Sequence, residues 1–460
     1  MKPARPASKN LTMRVASLAW PILIGQLAAI ANPVFDTIMV ARFSATDLAA
    51  LAIGASIYVS VFVALNGVMQ SLTPTFGQMY GAGEFTKIGQ EVRQGVWLAI
   101  FLSIIGSLIL FFPAPLLSIA KAPPELTEKA TLYLRILAFS LPASLNFLVY
   151  ITLNNAIARP KMVMAIQVSA LFLKVPLNTL FIFGWLGLPA LGGPGCALAT
   201  LILTWSMLAT GWLILRLNPF YRFLQLFGTG IVLPRWQSLK ELLKLGLPLG
   251  LNYCIEVTSF TLMALFIARI GVDAVAGHQI IANFSTVLYM LPLATANATS
   301  TLVAQSIGAG NLLLARQIAF SGQRLAACVA MVVSITVWLF RDAIIGIYTT
   351  NPVIAANALA LILFVCCYQV FDALQVTSAH ILRAYKVALA PTLLYVMTLW
   401  CIGLGGGYLF AFNILGLDLP PLITHAGGFW FSNSISLVLL AAFLVMLLKK
   451  VEKQASLHTS

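Results

Sequence analysis

The chain has 460 residues, of which 60% are hydrophobic and only 9% are charged. Soluble globular proteins carry about 25% charged residues, so this composition excludes a water-soluble enzyme with an ordinary surface. The net charge of +14 would suit nucleic-acid binding only if the basic residues formed a solvated surface. In a membrane protein the same excess is explained by cytoplasmic loops, which collect Lys and Arg. The sequence therefore predicts an integral membrane protein that binds no nucleic acid.

Apolar runs between polar breaks predict twelve transmembrane helices, since about 20 apolar residues suffice for one crossing. They are centred in 16–41, 48–76, 95–117, 132–155, 162–185, 190–215, 242–269, 275–303, 322–346, 353–379, 388–412 and 424–448. The basic start runs into a long apolar segment without a small-residue cleavage site, which indicates a first transmembrane helix rather than a cleaved signal peptide. If the N-terminus is cytoplasmic, most of the 27 Lys and Arg residues, Arg383 among them, fall on cytoplasmic segments. This asymmetry predicts that both termini are cytoplasmic.

The two halves of the sequence are related to each other. At an offset of 227 residues the chain aligns with itself without a gap from Leu18 to Ala99, and Pro21 then meets Pro248. The pattern Q-x-x-G-A-G occurs in both copies, at 78–83 and 305–310. Chance matches of Ala or Leu would not produce a shared six-residue pattern at this offset, so the chain contains an internal repeat.

The predicted fold class is all-α, with twelve membrane helices in two homologous six-helix bundles. Because six is even, both bundles enter the membrane from the same side, as in transporters with parallel repeats. We predict a first lobe of residues 1–215 with helices one to six and a second lobe of residues 242–460 with helices seven to twelve. The polar segment 216–241 is the predicted cytoplasmic linker between the lobes.

Apart from charges at span ends, four charged residues lie within predicted spans, namely Asp36, Lys174, Glu256 and Asp372. A charge at the bilayer centre costs about 2.5–3.5 kcal/mol on insertion scales. A buried interhelical hydrogen bond contributes about 1–2 kcal/mol, which is too little to offset an ionised carboxylate, although a protonated one is tolerated. Such residues usually face a cavity and bind or relay something. The three carboxylates are therefore candidate binding residues.

Aromatic residues flank the two carboxylates of the second half. Tyr368 lies one turn before Asp372, and Phe260 lies one turn after Glu256. Two carboxylates beside aromatic rings can bind a small cation such as Na⁺, and without that cation their crowding and desolvation favour uptake of a proton. The residues alone leave Na⁺ and H⁺ open, and Tyr368 could equally be a packing residue.

Polar residues accompany the charges in two further spans. In the fifth span, Lys174 and Asn178 share one face of a helix that a proline interrupts. Lys174 either pairs with Asp36, which would reduce the affinity of that acid for cations, or extends its amine to an interface. In the eighth span Gln279 and Asn283 are one turn apart and are candidate polar support for the second-half site.

Several segments together resemble the multidrug and toxic compound extrusion (MATE) transporters, and among them the bacterial NorM branch. These are Pro21 with Phe35-Asp36-Thr37, Glu256-Val257-Thr258, His278-Gln279 with Asn283-Phe284, Tyr289-Met290-Leu291-Pro292, Tyr348 with Asn351-Pro352, and Tyr368-Gln369 with Asp372-Ala373 and Gln375. The resemblance implies a V of two six-helix lobes. It also implies a monomeric, cofactor-free antiporter, surrounded by the lipids of a bacterial inner membrane, that exports organic cations and amphipathic drugs in exchange for Na⁺ or H⁺.

The resemblance also implies roles for individual residues. Glu256 and Asp372 match the second-lobe cation site of NorM-type members, together with Tyr368 and Phe260. Asp36 matches a first-lobe acid implicated in coupling or substrate binding, and Asn178 a first-lobe polar position. Relatives usually carry a neutral polar residue where this chain has Lys174, which favours the second lobe as the coupling centre.

Three other functions are alternatives to cation-coupled export. A flippase or exporter of lipid-linked precursors from the same superfamily would need a cavity rich in cationic side chains. Lys174 is one candidate for such a side chain, which is fewer than this function would need. A channel favours rings of residues from symmetric subunits. A membrane enzyme needs a reactive constellation, and the sequence contains no HExxH, GxSxG or paired intramembrane histidines, so we expect no enzymatic activity.

Overall fold

The computed structural model describes residues 11–120, 123–227, 232–414, 416, 418 and 420–457. Within them, twelve helices are long and apolar enough to cross a membrane. They are α1 (Leu11–Phe43), α2 (Ala45–Ala82), α3 (Phe85–Phe111), α4 (Pro124–Ala156), α5 (Pro160–Ile182), α6 (Gly193–Leu217), α7 (Trp236–Ala268), α8 (Val272–Gly308), α9 (Leu312–Leu339), α10 (Pro352–Ala384), α11 (Leu389–Ala411) and α12 (His425–Leu457). The prediction of twelve membrane helices is confirmed.

Local sequence signals set where several helices begin. Pro124, Pro160 and Pro352 occupy the first turns of α4, α5 and α10, where a residue without an N–H costs no hydrogen bond. Before α10, the side chain of Asn351 accepts hydrogen bonds from the N–H groups of Val353 and Ile354. These bonds satisfy donors that the helix itself leaves free.

The repeated Q-x-x-G-A-G pattern ends a helix in each half. Its last residues, Gly83 and Gly310, have φ angles of 75° and 72°, in the left-handed region that favours glycine. The N–H of Gly83 caps α2 by donating to the carbonyls of Met79 and Tyr80. A Cβ at either glycine would meet nothing within 4 Å, so the backbone conformation, not the available space, requires glycine.

The described chain forms two compact units. The N-terminal unit consists of Ile24–Gly250, and the C-terminal unit consists of the described residues up to Leu23 and from Leu251 onward. Both boundaries lie inside long helices, α1 and α7. They are 227 residues apart, which is the offset of the internal repeat.

The core of each unit contains the first part of a helix from the other repeat. Val15, Ala19 and Ile22 of α1 are buried in the core of the C-terminal unit. Leu239 and Leu242 of α7 are buried in the core of the N-terminal unit. The two homologous helices therefore change units at corresponding positions.

The predicted linker belongs to the packing of the N-terminal unit. The indole N–H of Trp97 donates to the carbonyl of Val232 at 2.8 Å, and the amide of Gln94 donates to the carbonyl of Leu233 at 3.2 Å. The division into lobes 1–215 and 242–460, joined by a linker 216–241, stays a prediction. Of these ranges, residues 1–10, 228–231 and 458–460 lie outside the described chain. The compact units of the structure change over within α1 and α7.

Candidate functional site

The two carboxylates of the C-terminal unit lie on different helices, and each accepts a hydrogen bond from a neighbouring polar side chain. Glu256 of α7 is half-buried, and Tyr289 of α8 donates its hydroxyl to Glu256 Oε1 at 3.2 Å. Asp372 of α10 is 7% exposed, and Gln375 donates to its Oδ1 at 3.0 Å. Tyr395 of α11 then donates to Gln375 Oε1 at 2.5 Å. Four helices thus fix the two acids, which offer the oxygen ligands that an alkali cation or a proton requires.

A buried arginine completes this network. Arg383 is 7% exposed, and its Nη1 donates to the hydroxyl of Tyr253 at 3.3 Å. The charges of Asp372 and Arg383 both act on Glu256. Tyr395 is close enough to interact electrostatically with all three charged groups. We call Glu256, Asp372 and Arg383, with Tyr253, Tyr289, Gln375 and Tyr395, the coupling network.

Arg383 was not predicted as a site residue because the predicted tenth span ends too early. The predicted span stopped at residue 379, whereas α10 continues to Ala384. Arg383 therefore lies inside a helix and is buried, not in a connecting segment as predicted. Asp372, Gln375 and Arg383 recur at spacings of three and eight residues, which places them on one helix face. That periodicity was the available signal.

His380 holds the arginine from the same helix. Its Nδ1 lies 2.8 Å from the carbonyl of Val376, and its Nε2 lies 3.2 Å from Arg383 Nη1. The carbonyl can only accept and the guanidinium can only donate, so Nδ1 carries the proton and Nε2 accepts. This imidazole is the neutral tautomer.

Tyr368, predicted next to the cation site, belongs to a packed aromatic layer. It is 4% exposed, its hydroxyl donates to Ser285 at 3.3 Å, and its ring stacks on Trp430 with a centroid distance of 6.3 Å. The Trp430 indole donates to Nδ1 of His278 at 3.2 Å. The layer supports the helix face that carries Asp372.

The other residues predicted for this site are more exposed than the carboxylates. Phe260, one turn after Glu256 on α7, is 36% exposed. Gln279 and Asn283 are exposed on α8, whereas Tyr289 is the residue of that helix that reaches Glu256. A role for Gln279 and Asn283 in polar support stays a prediction.

In the N-terminal unit the acid is already paired. Lys174 Nζ lies 2.9 Å from Asp36 Oδ1, and Asn178 donates to the same oxygen at 2.7 Å. Lys174 also donates to Thr200 at 2.5 Å. Because Lys174 is 1% exposed and Asp36 is 8% exposed, the pair is shielded from solvent and carries no net charge. Of the two alternatives for Lys174, the pairing with Asp36 is the one present.

The sequence profile of the MatE family matches residues 21–180 and 248–409, once in each half. The chain belongs to the MatE family. The two matches begin 227 residues apart, so the family profile reproduces the internal repeat. The MatE protein is thus a multi-pass membrane protein with two homologous halves.

Curated relatives of this MatE protein cover nearly its whole length. It is 37% identical over 451 residues to the probable multidrug resistance protein NorM of Aromatoleum aromaticum, covering 98% of this chain and 96% of the relative. It is 34% identical over 443 residues to the multidrug resistance protein MdtK of Yersinia pseudotuberculosis, covering 95% of each. Among solved structures, the eukaryotic MATE transporter AtDTX14 superposes with a TM-score of 0.84 at 19% identity, covering 98% of this chain and 99% of that one. This last similarity establishes the fold.

Proposed function

We propose that this MatE protein is a secondary active transporter that exports organic cations and amphipathic drugs across the bacterial inner membrane in exchange for Na⁺ or H⁺, by alternating access. The observation that carries the proposal is the coupling network, in which the charge of Asp372 acts on Glu256 among membrane helices. The names of the curated relatives, which are multidrug resistance proteins, support the drug part of the proposal. Both termini are proposed to be cytoplasmic.

The coupling cation is proposed to bind at Glu256 and Asp372, with Tyr368 and Phe260 nearby. Two carboxylates held close together in a low-dielectric site repel each other, so a cation or proton between them is favoured. The N-terminal unit is less suited to this task because Lys174 already neutralises Asp36. We assign Asp36, Asn178 and Lys174 to binding of substrate or a proton.

The energetics of this exchange follow from charge. A monovalent drug leaving as one monovalent cation enters moves no net charge, so the membrane potential does no work on the cycle. A tenfold cation gradient is worth about 1.4 kcal/mol and supports about tenfold drug accumulation on the other side. Larger accumulation would require a second cation per drug.

The test is transport in proteoliposomes loaded with ethidium, with Na⁺ or H⁺ gradients imposed separately. Glu256→Gln and Asp372→Asn should each abolish cation-driven efflux. The matched controls Glu84→Gln and Asp342→Asn remove exposed carboxylates and should keep the wild-type rate within about twofold. Undiminished efflux by both site variants would refute the site assignment. Comparison of the two gradients identifies the coupling ion.

A flippase of lipid-linked precursors is disfavoured by the surroundings of Lys174. That function needs an accessible cationic cavity, whereas this lysine is buried and paired with an acid. Expression in a pump-deficient bacterium should raise resistance to ethidium or fluoroquinolones. Unchanged resistance to every cation tested would favour the flippase. Purified protein in lipid nanodiscs is expected to be monomeric.

A further inference from the structure

The coupling network contains a positive charge that cation-coupled export does not itself require. Arg383 is buried, is held by the Tyr253 hydroxyl at 3.3 Å and by His380 Nε2 at 3.2 Å, and acts electrostatically on Glu256. Its guanidinium carbon also lies 5.2 Å from the centroid of the Tyr253 ring. Tyr253 and His380 thus hold a permanent cation that interacts with Glu256.

We propose that Arg383 is a fixed counter-cation that holds the coupling network at a net charge of −1 and thereby limits it to one monovalent cation per transport cycle. This inference rests on the proposed function, because it assigns the stoichiometry of that exchange. It also names a residue that determines specificity, since a site of charge −1 is neutralised by Na⁺ or H⁺ and is overcharged by a divalent ion.

The charge count follows from the hydrogen bonds. Glu256 and Asp372 contribute two negative charges when ionised, and an arginine side chain is always protonated in proteins. His380 is neutral, as its two ring contacts require. The hydroxyls of Tyr289 and Tyr395 donate to Glu256 and Gln375, so these tyrosines are neutral too. One monovalent cation brings the site to zero, and a second would leave an unpaired positive charge in a region that disfavours it.

The net charge of the network in each variant follows from this count. Glu256→Gln leaves Asp372 and Arg383 as the charged groups of the network, so its net charge is zero and we expect it to attract no cation. Arg383→Gln makes the net charge −2, and Arg383→Lys keeps it at −1. The double variant Glu256→Gln/Arg383→Gln returns the charge to −1, with Asp372 alone.

Coupling ratios measured in proteoliposomes test the proposal. At steady state with ethidium, a tenfold gradient of the coupling cation should give about a tenfold drug ratio in wild type and Arg383→Lys, and about a hundredfold ratio in Arg383→Gln. An inside-negative potential of about 60 mV should leave the wild-type ratio unchanged and raise that of Arg383→Gln about tenfold. If the wild-type drug ratio follows the square of the cation gradient, the proposal is overturned by the wild-type measurement alone. A functional Arg383→Gln with unchanged ratio would overturn it as well.

Cation binding to purified protein separates this proposal from the proposed function. The number of ²²Na⁺ ions or protons bound per chain is taken as the difference from Glu256→Gln/Asp372→Asn, which has no acid in the network. We expect one for wild type and Arg383→Lys, none for Glu256→Gln, and one again for Glu256→Gln/Arg383→Gln. If drug export fails while these numbers hold, only the proposed function is lost. Two cations in wild type, or no recovery in a double variant that elutes as a folded protein, would refute the counter-cation.

Discussion

Removing the amine of Lys174 should destabilise the N-terminal unit strongly, and removing its partner acid as well should reverse most of that loss. Lys174→Met keeps a long apolar chain at a position that is 1% exposed. The Asp36 carboxylate then keeps the 2.7 Å hydrogen bond from Asn178 but loses its counter-charge. Asp36→Asn instead leaves a buried ammonium with the hydroxyl of Thr200.

The magnitude follows from burial. Breaking one side of a buried ion pair costs about 3–5 kcal/mol, because the remaining charge stays desolvated and unpaired. We expect about 3 kcal/mol for either single variant, at the low end, since Asn178 or Thr200 still offers one hydrogen bond. The double variant Asp36→Asn/Lys174→Met buries no charge and should lose only about 1–2 kcal/mol, the net value of the lost hydrogen bonds.

The assay is reversible unfolding of the purified protein in mixed micelles as the mole fraction of SDS rises, followed by tryptophan fluorescence. The matched control is Lys87→Met, which breaks an exposed pair with Glu84 at 2.7 Å and should cost less than about 1 kcal/mol. If the effects of Asp36→Asn and Lys174→Met add within about 0.5 kcal/mol, the two charges do not stabilise each other and the reasoning is refuted.

Two further predictions concern packing in the N-terminal unit. Tyr221→Phe removes the hydroxyl that donates to Asn154 at 2.7 Å. Burial raises the pKa of this hydroxyl above its usual 10.0, so it is a donor at neutral pH. Its loss should lower the free energy of unfolding by about 1–3 kcal/mol in the same assay. Unchanged stability would show that the linker does not depend on this bond. Gly195→Ala places a Cβ 2.3 Å from the carbonyl oxygen of Phe181, so α5 and α6 must separate at a cost of about 1–3 kcal/mol. Its control, Gly346→Ala, meets no atom within 4 Å and should be neutral or stabilising; equal effects of the two would contradict the close approach.

The helices were predictable because the hydrophobic signal is long and strong. Each span needs about 20 apolar residues, and the chain supplies twelve such runs between polar breaks. The repeat was predictable because Q-x-x-G-A-G marks a backbone conformation that only glycine adopts easily, at Gly83 and Gly310. The ends of the helices were harder to predict. Polar residues whose hydrogen bonds are made inside the protein look like loop residues in a hydropathy pattern.

That limit explains what was missed at the candidate site. The carboxylates were visible as charges in apolar runs, and pairing of Lys174 with Asp36 was one of two alternatives that the sequence left open. Arg383 was not visible, because its partners Tyr253 and His380 come from tertiary packing and from a helix that continues past the predicted end. The positions where the units change also depend on packing, since nothing in the apolar pattern of α1 or α7 marks Leu23 or Gly250.

The change of units within α1 and α7 bears on how such a chain could have arisen. Each repeat contributes the opening of its first helix to the core formed mainly by the other repeat. A half-length ancestor with the same packing would have left those core positions unfilled as a monomer. Two copies exchanging these segments would have filled them, as in a domain-swapped dimer. Fusion of the two copies into one chain would then have made permanent an assembly that previously depended on protein concentration.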